Sequence, residues 1–244
     1  FQEVRRGPAN PQEFRSVREA FAGVKATFLL KEVGGKLLID LDPKRSQTAF
    51  PPCSTFKIMN SLVGLDTGAL KGTGDKFKWD GVKHARAEAN RDQTLETAFK
   101  DSIVWVYQDI ARRIGPAWMQ KALDAAKYGN RDISSGIDKF WLMSSLKISP
   151  RNQLAFLESL YTDTLPFTKR PQATVRGLML RESKPNWEFS GKTGSGIAPD
   201  ETRLGWFVGS LKKNGKRYVF VACIEGPKGT SGYTARSMTR KALD

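Results

Sequence analysis

Two hairpin signatures at opposite ends of the chain constrain its fold more than any other feature. Ala26 to Lys31 and Lys36 to Leu41 flank Gly34-Gly35, and Leu204 to Leu211 and Arg217 to Ile224 flank Asn214-Gly215. Apolar runs joined by a short Gly turn read as paired strands, and Asn-Gly supplies the two left-handed positions of a tight hairpin turn. Between these ends the apolar period lengthens. Ile103, Val104, Tyr107, Ile110 and Ala111 recur at helical spacing until Gly115-Pro116 stops them, and Pro116 to Ala126 and Asn152 to Leu160 repeat the pattern. The chain is therefore expected to be α+β: an antiparallel sheet built from both termini and flanked by helices, beside a mostly helical lobe. We assign residues 1–244 to one domain, with a sheet lobe from 1–52 and 187–244 and a helical lobe from 53–186. A cleft between the two lobes is the natural place for a site.

At 244 residues and 39% hydrophobic, the chain can bury a substantial core, which excludes disorder as its main state. Lys and Arg number 40 against 25 Asp and Glu, a net charge of +15. The basic residues are scattered from Arg5 to Lys241 with no run interleaved with aromatics, so the charge reads as a solvated surface and no nucleic-acid partner is expected. The longest apolar runs fall short of the roughly 20 residues a membrane helix needs, so no membrane partner is expected either. The opening Phe1-Gln2-Glu3 has neither an initiating Met nor a leader pattern, which fits a removed signal peptide or a trimmed sequence. Cys53 and Cys223 lack metal-ligand spacing, and the single histidine, His84, sits among Lys83, Arg86 and Glu88 as a surface residue would; no metal is expected.

Chemistry concentrates in two short motifs. Ser54-Thr55-Phe56-Lys57 follows Pro51-Pro52 and opens an apolar run through Met59 and Val63, placing a helix start at or near Ser54. Spacing i, i+3 puts the hydroxyl and the amine on one face, where a desolvated lysine can take the serine proton and backbone N–H groups favour developing negative charge. Alone, the motif reads equally as a capping serine with a solvated lysine. Lys192-Thr193-Gly194-Ser195 precedes the C-terminal hairpin and is expected on a strand, its lysine and hydroxyl offered to an anion and its glycine allowing close approach to the backbone. The ordered set of Ser-x-x-Lys, a helical Ser102 and Lys-Thr-Gly is much harder to produce by accident than either tripeptide.

With these residues in place the chain resembles the class D serine β-lactamases, the oxacillinases. Pro52-Cys53-Ser54-Thr55-Phe56-Lys57, Ser102-Ile103-Val104, Tyr128-Gly129-Asn130, Phe140-Trp141-Leu142 and Lys192-Thr193-Gly194 carry the resemblance, in the family's order, from about residue 25 to 240. The class A pattern is not met: Ser102-Ile103-Val104 replaces Ser-Asp-Asn, and no Glu-x-x-Leu-Asn precedes Lys192. The resemblance implies that Ser54 attacks the β-lactam carbonyl, with the N–H groups of Ser54 and Ser195 forming the oxyanion hole. It implies that Lys57, N-carboxylated by carbon dioxide or bicarbonate, is the general base, with no separately bound cofactor. Val104, Trp141 and Leu142 would make the carbamate pocket, Trp141 donating its indole N–H. Ser102 would pass a proton to the leaving nitrogen, and Lys192, Thr193, Gly194, Ser195 and Arg236 would hold the substrate, Arg236 anchoring its carboxylate.

The function so implied is hydrolysis of penicillin- and oxacillin-type antibiotics, conferring resistance, from a secreted or periplasmic location. A β-lactam sensor or a penicillin-binding transpeptidase would acylate without turnover; Val104, where sensors are typically polar, favours turnover. Tyr128 is either structural or part of the pocket wall, Trp105, Trp118 and Trp206 are read as core, and Cys53 stands where many relatives carry Ala. If the protein is exported, Cys53 and Cys223 either pair as a disulfide or stay thiols.

Overall fold

The computed structural model describes residues 11–244; Phe1-Gln2-Glu3 lies outside the described residues. Helix α1 (Pro11–Ala20) leads into the hairpin β1 (Lys25–Glu32) and β2 (Leu37–Asp40), at the positions the Gly34-Gly35 turn predicts. The chain then enters the helical lobe: α2 (Lys57–Asp66), the short pair β3 (Lys76–Phe77) and β4 (Gln93–Thr94), α3 (Leu95–Lys100), α4 (Val104–Ile114), α5 (Pro116–Ala125), α6 (Pro150–Tyr161) and α7 (Lys169–Met179). It returns through β5 (Leu180–Lys184), β6 (Trp187–Ile197), β7 (Arg203–Lys213) and β8 (Lys216–Gly226), and closes with α8 (Gly232–Leu243). The six long strands form one antiparallel sheet in the order β2-β1-β8-β7-β6-β5, so both hairpins share a sheet as expected.

Period-two alternation sends neighbouring side chains to opposite faces of that sheet. Phe28, Phe207 and Phe220 join Phe189, Val17 and Phe21 in a cluster beneath α1 and α8. Leu29, Trp206, Val208, Val219 and Val221 point the other way, into the larger core shared with the helical lobe. The sheet is thus a middle layer covered on both faces.

Helix ends follow the local chemistry. Gly115, at φ +77°, ends α4 and precedes Pro116 at the start of α5. Ser149 accepts a hydrogen bond from the Asn152 N–H to cap α6, and Thr94 with Thr97 forms a reciprocal capping box on α3. Two expectations need correction. β5 belongs to the sheet although residues 53–186 were assigned to the helical lobe; Leu-Arg-Glu-Ser-Lys has no apolar alternation because the strand is an edge with largely exposed faces. Trp118 is 55% exposed, because α5 turns Met119 and Leu123 inward instead, and its ring lies 4.9 Å from Lys121 Nζ. Trp206 is core, donating Nε1–H to the Pro51 carbonyl at 2.9 Å, and Trp105 is half-buried.

Candidate active site

Ser54 does not begin an α-helix. Cys53–Phe56 forms one turn of 3-10 helix, locked by the Thr55 N–H and hydroxyl, which both donate to the Pro52 carbonyl, and α2 starts at Lys57. The tighter turn serves the motif, since residues three apart eclipse in a 3-10 helix. Lys57 Nζ donates to Ser54 Oγ at 2.9 Å. Gly194 of β6 abuts this turn: a Cβ there would come within 3.0 Å of the Pro52 carbonyl oxygen and 3.2 Å of the Thr55 nitrogen. The glycine is therefore what lets the strand approach the nucleophile.

Lys57 is fully buried, and burial lowers its pKa from 10.5 to about 7, opposed by Cys53 and aided by the charge of Arg86. Its ammonium lies 5.1 Å from the centre of the Tyr107 ring. Trp141 is also fully buried and stacks on Phe56, centroids 5.4 Å apart, yet its indole Nε1–H has no hydrogen-bond partner among the described residues. A buried donor left unpaired is costly, and this one belongs to a ring stacked on Phe56, the residue that precedes Lys57. Leu142 packs half-buried against the same core. Val104, the first residue of α4, is 39% exposed and lines a small cavity together with Ser102 and Trp105.

The second lysine completes the pattern. Lys192 Nζ donates to Ser102 Oγ at 2.9 Å and to the Thr193 carbonyl at 2.9 Å. Its pKa is held well below the usual lysine value by burial and by the charges of Lys57, Arg181 and Arg86. The motif predicts a helical Ser102; it sits instead in the turn between α3 and α4 at φ +57°, a left-handed conformation that aims its hydroxyl at Lys192. Beyond Ser190, β6 pairs only with β7, so among the described residues its other edge carries no partner strand from Gly191 to Ile197. Ser195 Oγ accepts from the Gly232 N–H at 2.9 Å, tying this edge to α8, where Arg236 lies half-exposed and 4.0 Å from Glu182.

Tyr128 is buried beneath the nucleophile turn, edge-on to Phe56 and Phe156. In the following turn, Gly129 at φ +56° would place a Cβ 2.1 Å from the Lys147 carbonyl oxygen. Asn130 then accepts from the Lys147 N–H and donates to the Ser145 carbonyl, fastening the loop that carries Trp141. Cys53 and Cys223 are both free, buried thiols and not a disulfide. Cys53 Sγ faces Met143 Sδ at 3.6 Å while Cys223 sits in register with Thr27 and Trp206 inside the sheet. Two residues escaped the sequence reading. Arg181 donates Nε–H to the Gly191 carbonyl beside Lys192, and Arg86 donates to the Asp101 carbonyl next to Ser102. Neither falls in a recognisable motif, and only the closing of the chain brings them to the cleft.

A serine and a buried lysine on one turn, a second hydroxyl–lysine pair facing them, and a strand edge left open alongside define a serine acyl-transfer enzyme of the penicillin-binding transpeptidase class. The family model described as penicillin binding protein transpeptidase domain matches residues 9–244. Probable beta-lactamase YbxI of Bacillus subtilis is 39% identical over 224 residues, covering 92% of this chain and 82% of that protein. Beta-lactamase OXA-48 of Klebsiella pneumoniae is 40% identical over 200 residues, covering 82% and 75%. The solved structure of class D beta-lactamase BAT-2 superposes with a TM-score of 0.87 at 39% identity over 93% of each chain. The chain belongs to the class D β-lactamases within that transpeptidase family.

Proposed function

We propose that this protein hydrolyses penicillin- and oxacillin-type β-lactams through a Ser54 acyl-enzyme, with Lys57 carrying a carbamate formed from carbon dioxide. The observation that supports the second half is the buried Trp141 indole N–H, unpaired among the described residues, on a ring that stacks on Phe56 next to the equally buried Lys57. Only the neutral amine adds carbon dioxide, and a lysine lowered to about 7 offers one near neutrality. The carbamate, when present, supplies an anionic oxygen as general base beside Ser54, with Trp141 as its hydrogen-bond donor.

The chain's own groups do the rest. Ser54 Oγ attacks the lactam carbonyl, and the N–H groups of Ser54 and Ser195 stabilise the oxyanion. Ser102 gives its proton to the departing nitrogen, and Lys192, 2.9 Å away, restores it. Lys192, Thr193 and Arg236 bind the substrate carboxylate, and the glycine at 194 keeps the strand edge within reach of the ring. Tyr128 supports the nucleophile turn from below. An enzyme that protects cell-wall synthesis acts outside the cytoplasmic membrane, so we place it in a secreted or periplasmic location.

Labelling with carbon-13 bicarbonate tests this reading. A carbamate resonance in the wild type that disappears in Lys57→Ala is the expected result. No such resonance at any pH, together with turnover indifferent to bicarbonate, would leave Lys57 an ordinary amine base. An acyl-enzyme persisting for hours would identify a sensor or a transpeptidase.

A further inference from the structure

Ser102 lines a cavity of about 210 Å³ whose other walls have no part in the reaction described above. Ser102, Val104 and Trp105 form its inner wall and His84, Arg86 and Ala89 its outer one. The outer wall is a built loop. Asn90 accepts from the His84 N–H at 2.7 Å and donates to the His84 carbonyl at 3.0 Å, Trp105 Nε1–H is bonded to the Ala89 carbonyl at 3.0 Å, and Arg86 Nη2 is bonded to the Asp101 carbonyl at 2.6 Å. The guanidinium is thus fixed against the turn that presents Ser102.

Its electrostatic surroundings lack a firm counter-charge. Among the described residues the carboxylate paired with Arg86 is Glu88, at 3.8 Å, and both side chains are about half exposed, a weak pairing that an incoming anion can displace. The Asp101 carboxylate is turned towards Arg91 at 3.4 Å. The charge of Arg86 nevertheless reaches inward, acting on both Lys57 and Lys192.

We propose that this cavity is a subsite for a second anionic group, and that Arg86 selects β-lactams whose acyl side chain carries a carboxylate. The ring carboxylate already has its own partners, Lys192, Thr193 and Arg236, on the strand side of the cleft. An anion on the side chain meets Arg86, whose guanidinium is bonded to the Asp101 carbonyl next to Ser102 and offers its remaining N–H groups at little ordering cost. This inference rests on the β-lactamase reading and adds to it a specificity determinant.

The probes are benzylpenicillin and carbenicillin, which is benzylpenicillin with an added carboxylate on the side-chain α-carbon. The quantity is the ratio of kcat/KM for carbenicillin to that for benzylpenicillin, so any effect of Arg86 on the shared machinery cancels. Arg86→Gln should lower that ratio about tenfold, the loss of one hydrogen bond to a charged partner, and Arg86→Lys should restore most of it. Raising the salt concentration should lower the wild-type ratio more steeply than that of Arg86→Gln. Second-order acylation rates give the same ratio whether or not deacylation follows, so absent turnover would fault the hydrolase reading while the subsite was still tested. A ratio that Arg86→Gln leaves unchanged would overturn the proposal.

Discussion

Lys57 holds its amine against the solvation it would prefer, and that conflict sets measurable behaviour. Its folded pKa, about 7, lies below the ordinary 10.5, so between those values the unfolded chain binds more protons than the folded one. Stability should rise with pH across that window and be lost as pH falls towards 7. Lys57→Met, read by thermal melts in carbon dioxide-free buffer, should stabilise the protein at neutral pH by on the order of a few kcal/mol, with the advantage shrinking towards pH 10. Lys192, lowered in the same direction, should keep some of the slope in the variant. Turnover should move oppositely to that stabilisation: it should fall as pH drops through about 7, because a protonated amine cannot hold carbon dioxide, and added bicarbonate should restore part of it. Trp141→Phe should leave the fold intact and slow deacylation by an amount worth about 1.5–3 kcal/mol, partly rescued by bicarbonate. A Trp141→Phe enzyme with unaltered bicarbonate dependence would remove the indole from the mechanism.

At the level of the element, the active site depends on turns more than on helices. The 3-10 turn aligns Ser54 with Lys57, the left-handed Ser102 faces Lys192, and Asn130 secures the loop bearing Trp141. Asn130→Ala removes the acceptor for the Lys147 N–H and the donor to the Ser145 carbonyl. It should destabilise the fold by about 1–3 kcal/mol and raise the bicarbonate needed for full activity, both readable from melts and rates on one preparation. This dependence also explains what the sequence could reveal. Strand pairs around Gly34-Gly35 and Asn214-Gly215 were legible because turn chemistry and alternation are local. The Ser54–Lys57 and Lys192–Gly194 motifs were legible because each sits within a few residues. β5 was not, since an edge strand has little alternation to display, and the left-handed Ser102 was not, since a bond to Lys192 from a distant strand stabilises it.

Across the whole molecule, the sheet separates two cores, and the cysteines lie within the packing without joining it covalently. Thiol titration under denaturing conditions should find two reactive groups per chain with or without prior reductant, and an intact-mass difference after reduction would contradict the free thiols. The topology has a further consequence. β1 pairs with β8 from Lys25 opposite Glu225 to Glu32 opposite Tyr218, and α1 shares its aromatic bed with α8. The β1–β2 hairpin, synthesised well before β8, therefore waits for nearly all of the intervening chain before its neighbour exists. Contacts of such sequence separation form slowly, and Phe28 and Leu29 stay without their partners in the interval. Nascent chains arrested before β8 clears the exit tunnel should be cut readily by protease, and those arrested beyond α8 should resist it. Birth order and assembly order run apart in this protein, so it depends on whatever keeps the β1–β2 hairpin unaggregated until β8 arrives.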